Sequence, residues 1–175
     1  NQGDLSDQIS LSNVVNDLDL QIREAQTYGI SVRERTPSSN DFNISYGVDF
    51  NILGINSPTN VAYYSFADSG SKNGYFDTFG TCTTGGECVI RNNISRGNTI
   101  SQLCVVTSTG TETCGLGRLA ISFTRPNPVA RIVFFNSSGS PVTYSNHRGA
   151  RVQMTSPKGK VKSIIVYTTG QVSVQ

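Results

Sequence analysis

The chain has 175 residues, 15% of them charged and 36% apolar, with 17 glycines, no tryptophan and a formal net charge of +2. That length suits one domain with a real core. So even a charge balance predicts neither nucleic-acid nor membrane-surface affinity, and no apolar run approaches the ~18–20 residues that cross a bilayer.

The first element is a helix over 4–28. At 100° per residue, Leu11, Val14, Val15, Leu18, Ile22 and Ala25 fall in one stripe about 100° wide, the face a helix buries against a core. Neither Gly nor Pro interrupts it. Asp4 or Ser6 is the expected N-cap, and Gly29 is placed for a left-handed C-terminal cap. Leu5, Ile9 and Leu20 fall off the stripe, within ~60° of one another. They read either as scatter, since single exposed apolar residues are ordinary, or as a second face meeting another helix.

After Gly29 the periodicity changes to two. Ile30 and Val32 start a strand, and 36–41 is a turn rich in Ser, Asn and Pro. In 43–51, Ile44, Tyr46, Val48 and Phe50 alternate with Ser45, Gly47 and Asp49, as in a half-buried strand. A loop at 55–60, a strand at 61–66 and an irregular stretch at 68–87 follow. Short strands are expected at 88–90, 99–106, 118–123, 129–135, 150–154 and 160–168, separated by Pro- and Gly-bearing turns. Thr169-Gly170 closes a hairpin to 171–175. One helix followed by eight to ten grouped strands predicts an α+β fold, with the helix packed on one face of one or two antiparallel sheets.

Cys82, Cys88, Cys104 and Cys114 lack the short Cys-x-x-Cys spacing of most structural zinc sites. Local disulfides Cys82–Cys88 and Cys104–Cys114 are the preferred pairing among the three possible, with free thiols and a metal as other readings. Oxidised, they place the domain outside the cytoplasm.

Catalytic motifs are scarce. The single histidine, His147, sits in loop-like sequence, and there is no nucleophile elbow and no phosphate-binding loop. Asp68, Asn73 and Asp77 offer oxygens to calcium, but their spacing is not that of an EF-hand, and a plain turn is the better reading. Asn43, Asn93 and Asn136 head chance-level glycosylation sequons. Lys158, Lys160 and Lys162 alternate, and with Arg148 and Arg151 they suggest either a solvated edge strand or a patch for DNA or another polyanion. No cofactor and no metal is expected.

The helix 11–28 leading into Ile30-Ser31-Val32, the strand Ser45-Tyr46-Gly47-Val48-Asp49-Phe50, and the ending 162–174 with its Thr-Gly turn resemble one known layout. It is that of the soluble part of type IV pilin-like proteins, in particular the H-class minor pseudopilins of type II secretion and related type IV minor pilins. The resemblance implies a pilin-like head (30–175) on the lower half of a longer helix (1–29) whose membrane half and leader are missing. It implies a non-enzymatic subunit of a type II secretion pseudopilus or a type IV pilus, anchored in the inner membrane with its head outside the cytoplasm. Its partners would be other pilin or pseudopilin subunits, touched through Leu5, Ile9 and Leu20. DNA-capturing minor pilins carry Arg after the Thr-Gly turn, where Gln171 and Ser173 stand here, which weighs against nucleic acid as a partner.

Overall fold

In the computed structural model, residues 2–31, 43–53, 60–77, 82 and 86–175 are described. The element order is α1 (Gln2–Ile30), β1 (Ser45–Asn51), β2 (Ala62–Asp68), β3 (Cys88–Asn93), β4 (Thr99–Thr107), β5 (Glu112–Cys114), β6 (Arg118–Thr124), β7 (Asn127–Phe135), β8 (Pro141–Val142), β9 (His147–Thr155), β10 (Val161–Tyr167) and β11 (Val172–Val174). Ile30, expected to start a strand, is instead the last residue of α1, and Val32 and Arg33, the turn at 36–41 and all but Asn60 of the loop at 55–60 lie outside the described residues.

The strands form two antiparallel sheets. The first runs β3-β2-β1-β6-β7-β8 and the second β11-β10-β9-β4-β5. This overturns the expected α+β, pilin-like head with a helix on one face of a sheet: the molecule is mostly β and closer to a β-sandwich. The reason lies in the alternation itself. Tyr46, Val48, Phe50, Leu119, Ile121, Phe123 and Phe134 of the first sheet share one core with Ile100, Leu103, Val105, Ala150, Val152, Met154, Ile164 and Val166 of the second. Two sheets that each carry an apolar face bury most when those faces meet. The helix contributes Leu11, Val14, Val15, Leu18, Ile22 and Ala25 to the same core and touches strands of both sheets, chiefly β1 and β6 of the first and β10 of the second. The stripe read from the sequence is therefore buried, against two layers rather than one.

Three local expectations change. The helix starts at Gln2, so Asp4 lies in its first turn rather than capping it. Gly29 is the last buried residue of the helix and is absent from the positive-φ glycines. Its role is close approach, since a Cβ there would stand 2.3 Å from the Phe123 carbonyl oxygen. β1 is buried along its whole length, polar residues included, where the alternation predicted a solvent face. The residues 69–77 lie over that outer face, with Phe76 packed among Tyr64, Phe66 and Cys88. The C-terminal hairpin matches its expectation: Gly170 at φ +88° turns β10 into β11, a conformation that costs glycine little.

Candidate functional site

The helix is held at several points along its length. Lys158 Nζ lies 3.0 Å from Asp4 Oδ1, and the Ser156 hydroxyl donates to Asp7. Asn98 Nδ2 donates to Ser10 Oγ at 2.9 Å. At the other end, Gln26 Nε2 donates to the carbonyls of Pro128 and Gly170, each at 3.2 Å. At 1.5 Å per residue the helix is about 43 Å long. Its buried stripe begins at Ser10; before that only Asp7 is even partly covered.

Leu5, Ile9 and Leu20 stand on the side of the helix away from the core, 60%, 50% and 62% exposed. Leu20 lines a groove of about 320 Å³ between α1 and β3, with Val14, Asp17, Tyr63, Arg91 and Ile94. Beyond Gln21 the groove continues into a second hollow of about 160 Å³ lined by Glu24, Tyr28, Phe66, Val89 and Ile90. Val89 and Ile90 are themselves about half exposed. The hollow beside Val89 and Ile90 is mainly apolar, whereas Leu20 shares its groove with Asp17, Arg91, Asn92 and Asn93, and Leu5 and Ile9 line neither. Between the two hollows Asn92 Nδ2 donates to Ser65 Oγ, which donates to Gln21 Oε1.

The five basic residues do not share one face. Arg151 pairs with Ile165 across the ladder and Lys162 with Met154. Ile165 and Met154 are an odd number of residues from Lys162 and Arg151 along their strands, so Arg151 and Lys162 stand on opposite sides of the sheet. Arg148 lies at the start of β9 and Lys158 in the turn beyond its end. A nine-residue strand at 3.3 Å per residue separates these positions by over ~20 Å. Arg151 is engaged with Glu112, at 2.6 Å, and Arg148 lies 5.6 Å over the Tyr167 ring.

Both disulfides occur in the preferred pairing, Cys82–Cys88 and Cys104–Cys114. Cys104 and Cys114 are directly opposite residues of β4 and β5, so the second bond staples a hairpin across its ladder. His147 is half-buried, its Nδ1 against the Tyr144 carbonyl and its ring edge-on to Phe134. Among the described residues its ring has no carboxylate partner of the kind a triad base needs. Among the described residues the His, Cys, Asp and Glu side chains close enough to hold a metal together are Cys104, Glu112 and Cys114, and the two sulfurs are bonded to each other.

One constellation escaped the sequence reading. Asp49 is fully buried on the outer face of β1 and is gripped by Arg118, whose Nε and Nη2 lie 2.9 and 2.7 Å from its two oxygens. The Phe76 amide also donates to Asp49, and the Arg118 guanidinium also donates to the Phe76 carbonyl while lying 4.6 Å over the Phe135 ring. Burial pushes the Asp49 carboxyl up, and the attraction of Arg118 opposes it. With both Asp49 oxygens and the Arg118 Nε and Nη2 engaged by the loop and sheet around them, this is a structural clamp rather than a reactive group. A charged residue in alternation with apolar ones, Asp49 or Arg118, was the available signal; nothing in the sequence showed that a loop would cover it. Compared with known proteins, the chain matches no family model, no curated protein and no solved structure.

Proposed function

We propose that this chain is a non-enzymatic assembly subunit that joins its neighbours through the outer face of its N-terminal helix, as a minor pilin or pseudopilin of a type IV pilus or type II secretion pseudopilus does. The observation that carries the reading is the division of one helix into two apolar faces. One lies in the core. The other presents Leu5, Ile9 and Leu20 over about 22 Å of a rod held by the head at both ends. Exposed apolar residues on a rigid element are what a protein contact uses, and Leu20 stands at the groove along β3. The proposal rests on this helix and not on the form of the head. Two disulfides favour an oxidising compartment for the head, and in this reading the neighbours are other pilin-like subunits and the membrane is reached through sequence preceding the helix.

The test is to replace Leu5, Ile9 and Leu20 together by Glu in the producing cell and to measure both cross-linking into higher-order species and the thermal stability of the purified chain. The expected result is loss of the cross-linked species with an unchanged melting temperature, because none of the three packs in the core. Assembly that persists in the triple variant overturns the proposal.

A further inference from the structure

The turn 69–77 has more chemistry than its sequence suggests. Asp68, at the end of β2, is fully buried; its Oδ2 accepts the Gly74 N–H at 2.6 Å. Its Oδ1 is buried too and has no hydrogen-bond partner among the described residues. Glu87, only 5% exposed, reaches the same loop from its far side, accepting the N–H groups of Gly70 at 3.1 Å and Asp77 at 2.8 Å. Asp77 is exposed on the loop and accepts from the Asn73 amide at 2.8 Å and from the Ser71 hydroxyl.

Three carboxylates therefore converge on one nine-residue turn. Among the described residues none of the three has a salt-bridge partner. Two cations stand at this loop: Lys72 lies within it, and Arg131 donates to the Lys72 carbonyl with its guanidinium against Gly74, while Arg118 is held by Asp49. A buried carboxylate oxygen with neither donor nor cation is costly, and such an atom commonly marks the place of a water or an ion. The three carboxylates outnumber these two cations, which favours the ion.

We propose that the loop 69–77, together with Asp68 and Glu87, binds a divalent cation of calcium size, with Asp68 Oδ1 as the buried ligand and Asp77 as the ligand that closes over it. The donor set is all oxygen: carboxylates of Asp68, Asp77 and Glu87, with the Ser71 hydroxyl and the Asn73 amide oxygen as neutral donors within reach of the loop. Calcium takes six to eight such oxygens in flexible geometry, whereas magnesium demands a rigid octahedron. The carboxylate oxygens of Asp68, Asp77 and Glu87 do not all lie within 4.8 Å of one another, so binding draws the exposed Asp77 inward and tightens the loop on the first sheet. The EF-hand spacing fails here because Glu87 enters from outside the turn.

The experiment is a titration of the 175-residue chain with calcium chloride, read by calorimetry and by melting temperature. Terbium luminescence, excited through tyrosine with Tyr75 in the loop, provides a second readout. The expected result is a melting temperature that rises with calcium and far less with magnesium, and terbium emission that calcium displaces. Asp77→Asn should weaken calcium binding about tenfold or more, and Asp68→Asn should abolish it. Should Asp68→Asn fail to fold, the exposed Asp77→Asn still carries the test. No binding of calcium or terbium up to about 10 mM, well above the weakest extracellular calcium sites, overturns the proposal. So does an affinity that Asp77→Asn leaves unchanged.

Discussion

Each sheet carries an arginine–carboxylate pair on its outer face, and the two pairs live in different surroundings. On the first sheet the Asp49 and Arg118 side chains are 0% and 9% exposed beneath the loop 69–77. On the second, Glu112 and Arg151 are 30% and 14% exposed, beside the Cys104–Cys114 bond, with nitrogen–oxygen distances as short as 2.6 Å. The chemistry of the contact is the same; the dielectric around it is not. Water can replace either partner on the second sheet, whereas on the first a lost partner leaves a stranded charge.

The largest expected effect follows directly. Asp49→Ala should cost about 3–5 kcal/mol in urea denaturation, while the double variant Asp49→Leu/Arg118→Met should recover most of that loss, because the penalty is the unpaired charge and not the missing pair. If the single and double variants are equally unstable, the pair is not the source of the difference. Next is Gly47→Ala, which tests how tightly the first sheet is covered. A Cβ there would lie 2.3 Å from the Ile121 carbonyl oxygen and 2.7 Å from the Phe66 ring, so a loss of about 1–3 kcal/mol is expected from overpacking. Glu112→Ala, the counterpart on the second sheet, should cost no more than about 1 kcal/mol, and that cost should shrink as salt is raised.

The smallest effect is a change in slope. Burial holds the Glu87 carboxyl above its ordinary value of 4.5, aided by the charges of Asp77 and Asp68 and opposed by the Asp77 and Gly70 N–H groups. The folded state then binds this proton more tightly than the unfolded chain. The stability due to it is complete below pH 4.5 and is lost as pH rises through the higher folded value. In buffer free of divalent cations, Glu87→Gln should flatten the fall in stability over that window, as followed by thermal melts at successive pH values. An unaltered slope would show that Glu87 does not sense the covered face.

Much of the skeleton was legible. The helix stripe and the β10–β11 hairpin at Thr169-Gly170 depend on residues near one another in sequence, where spacing and turn chemistry suffice; the disulfides follow the preferred local pairing, which sequence left as one of three. The alternating strands were legible as strands, but not as two stacked sheets, because period-two alternation marks which side is apolar and not which other side it meets. Leu5, Ile9 and Leu20 stood out for the same local reason that the buried stripe did. Glu87 did not, because its loop partners Gly70 and Asp77 precede it by up to seventeen residues.

The order of apolar and polar residues thus determined by itself the helix, most strand positions and the hairpin turns, since each is a property of a few consecutive residues. Tertiary structure alone decided that Ser45, Gly47, Asp49 and Asn51 are buried, that Arg148, Arg151 and Lys158–Lys162 do not form one patch, and that Glu87 joins Asp68 and Asp77 at one loop. Burial and charge pairing are set by whatever segment comes to lie on top, and that segment is chosen by the packing of the whole core.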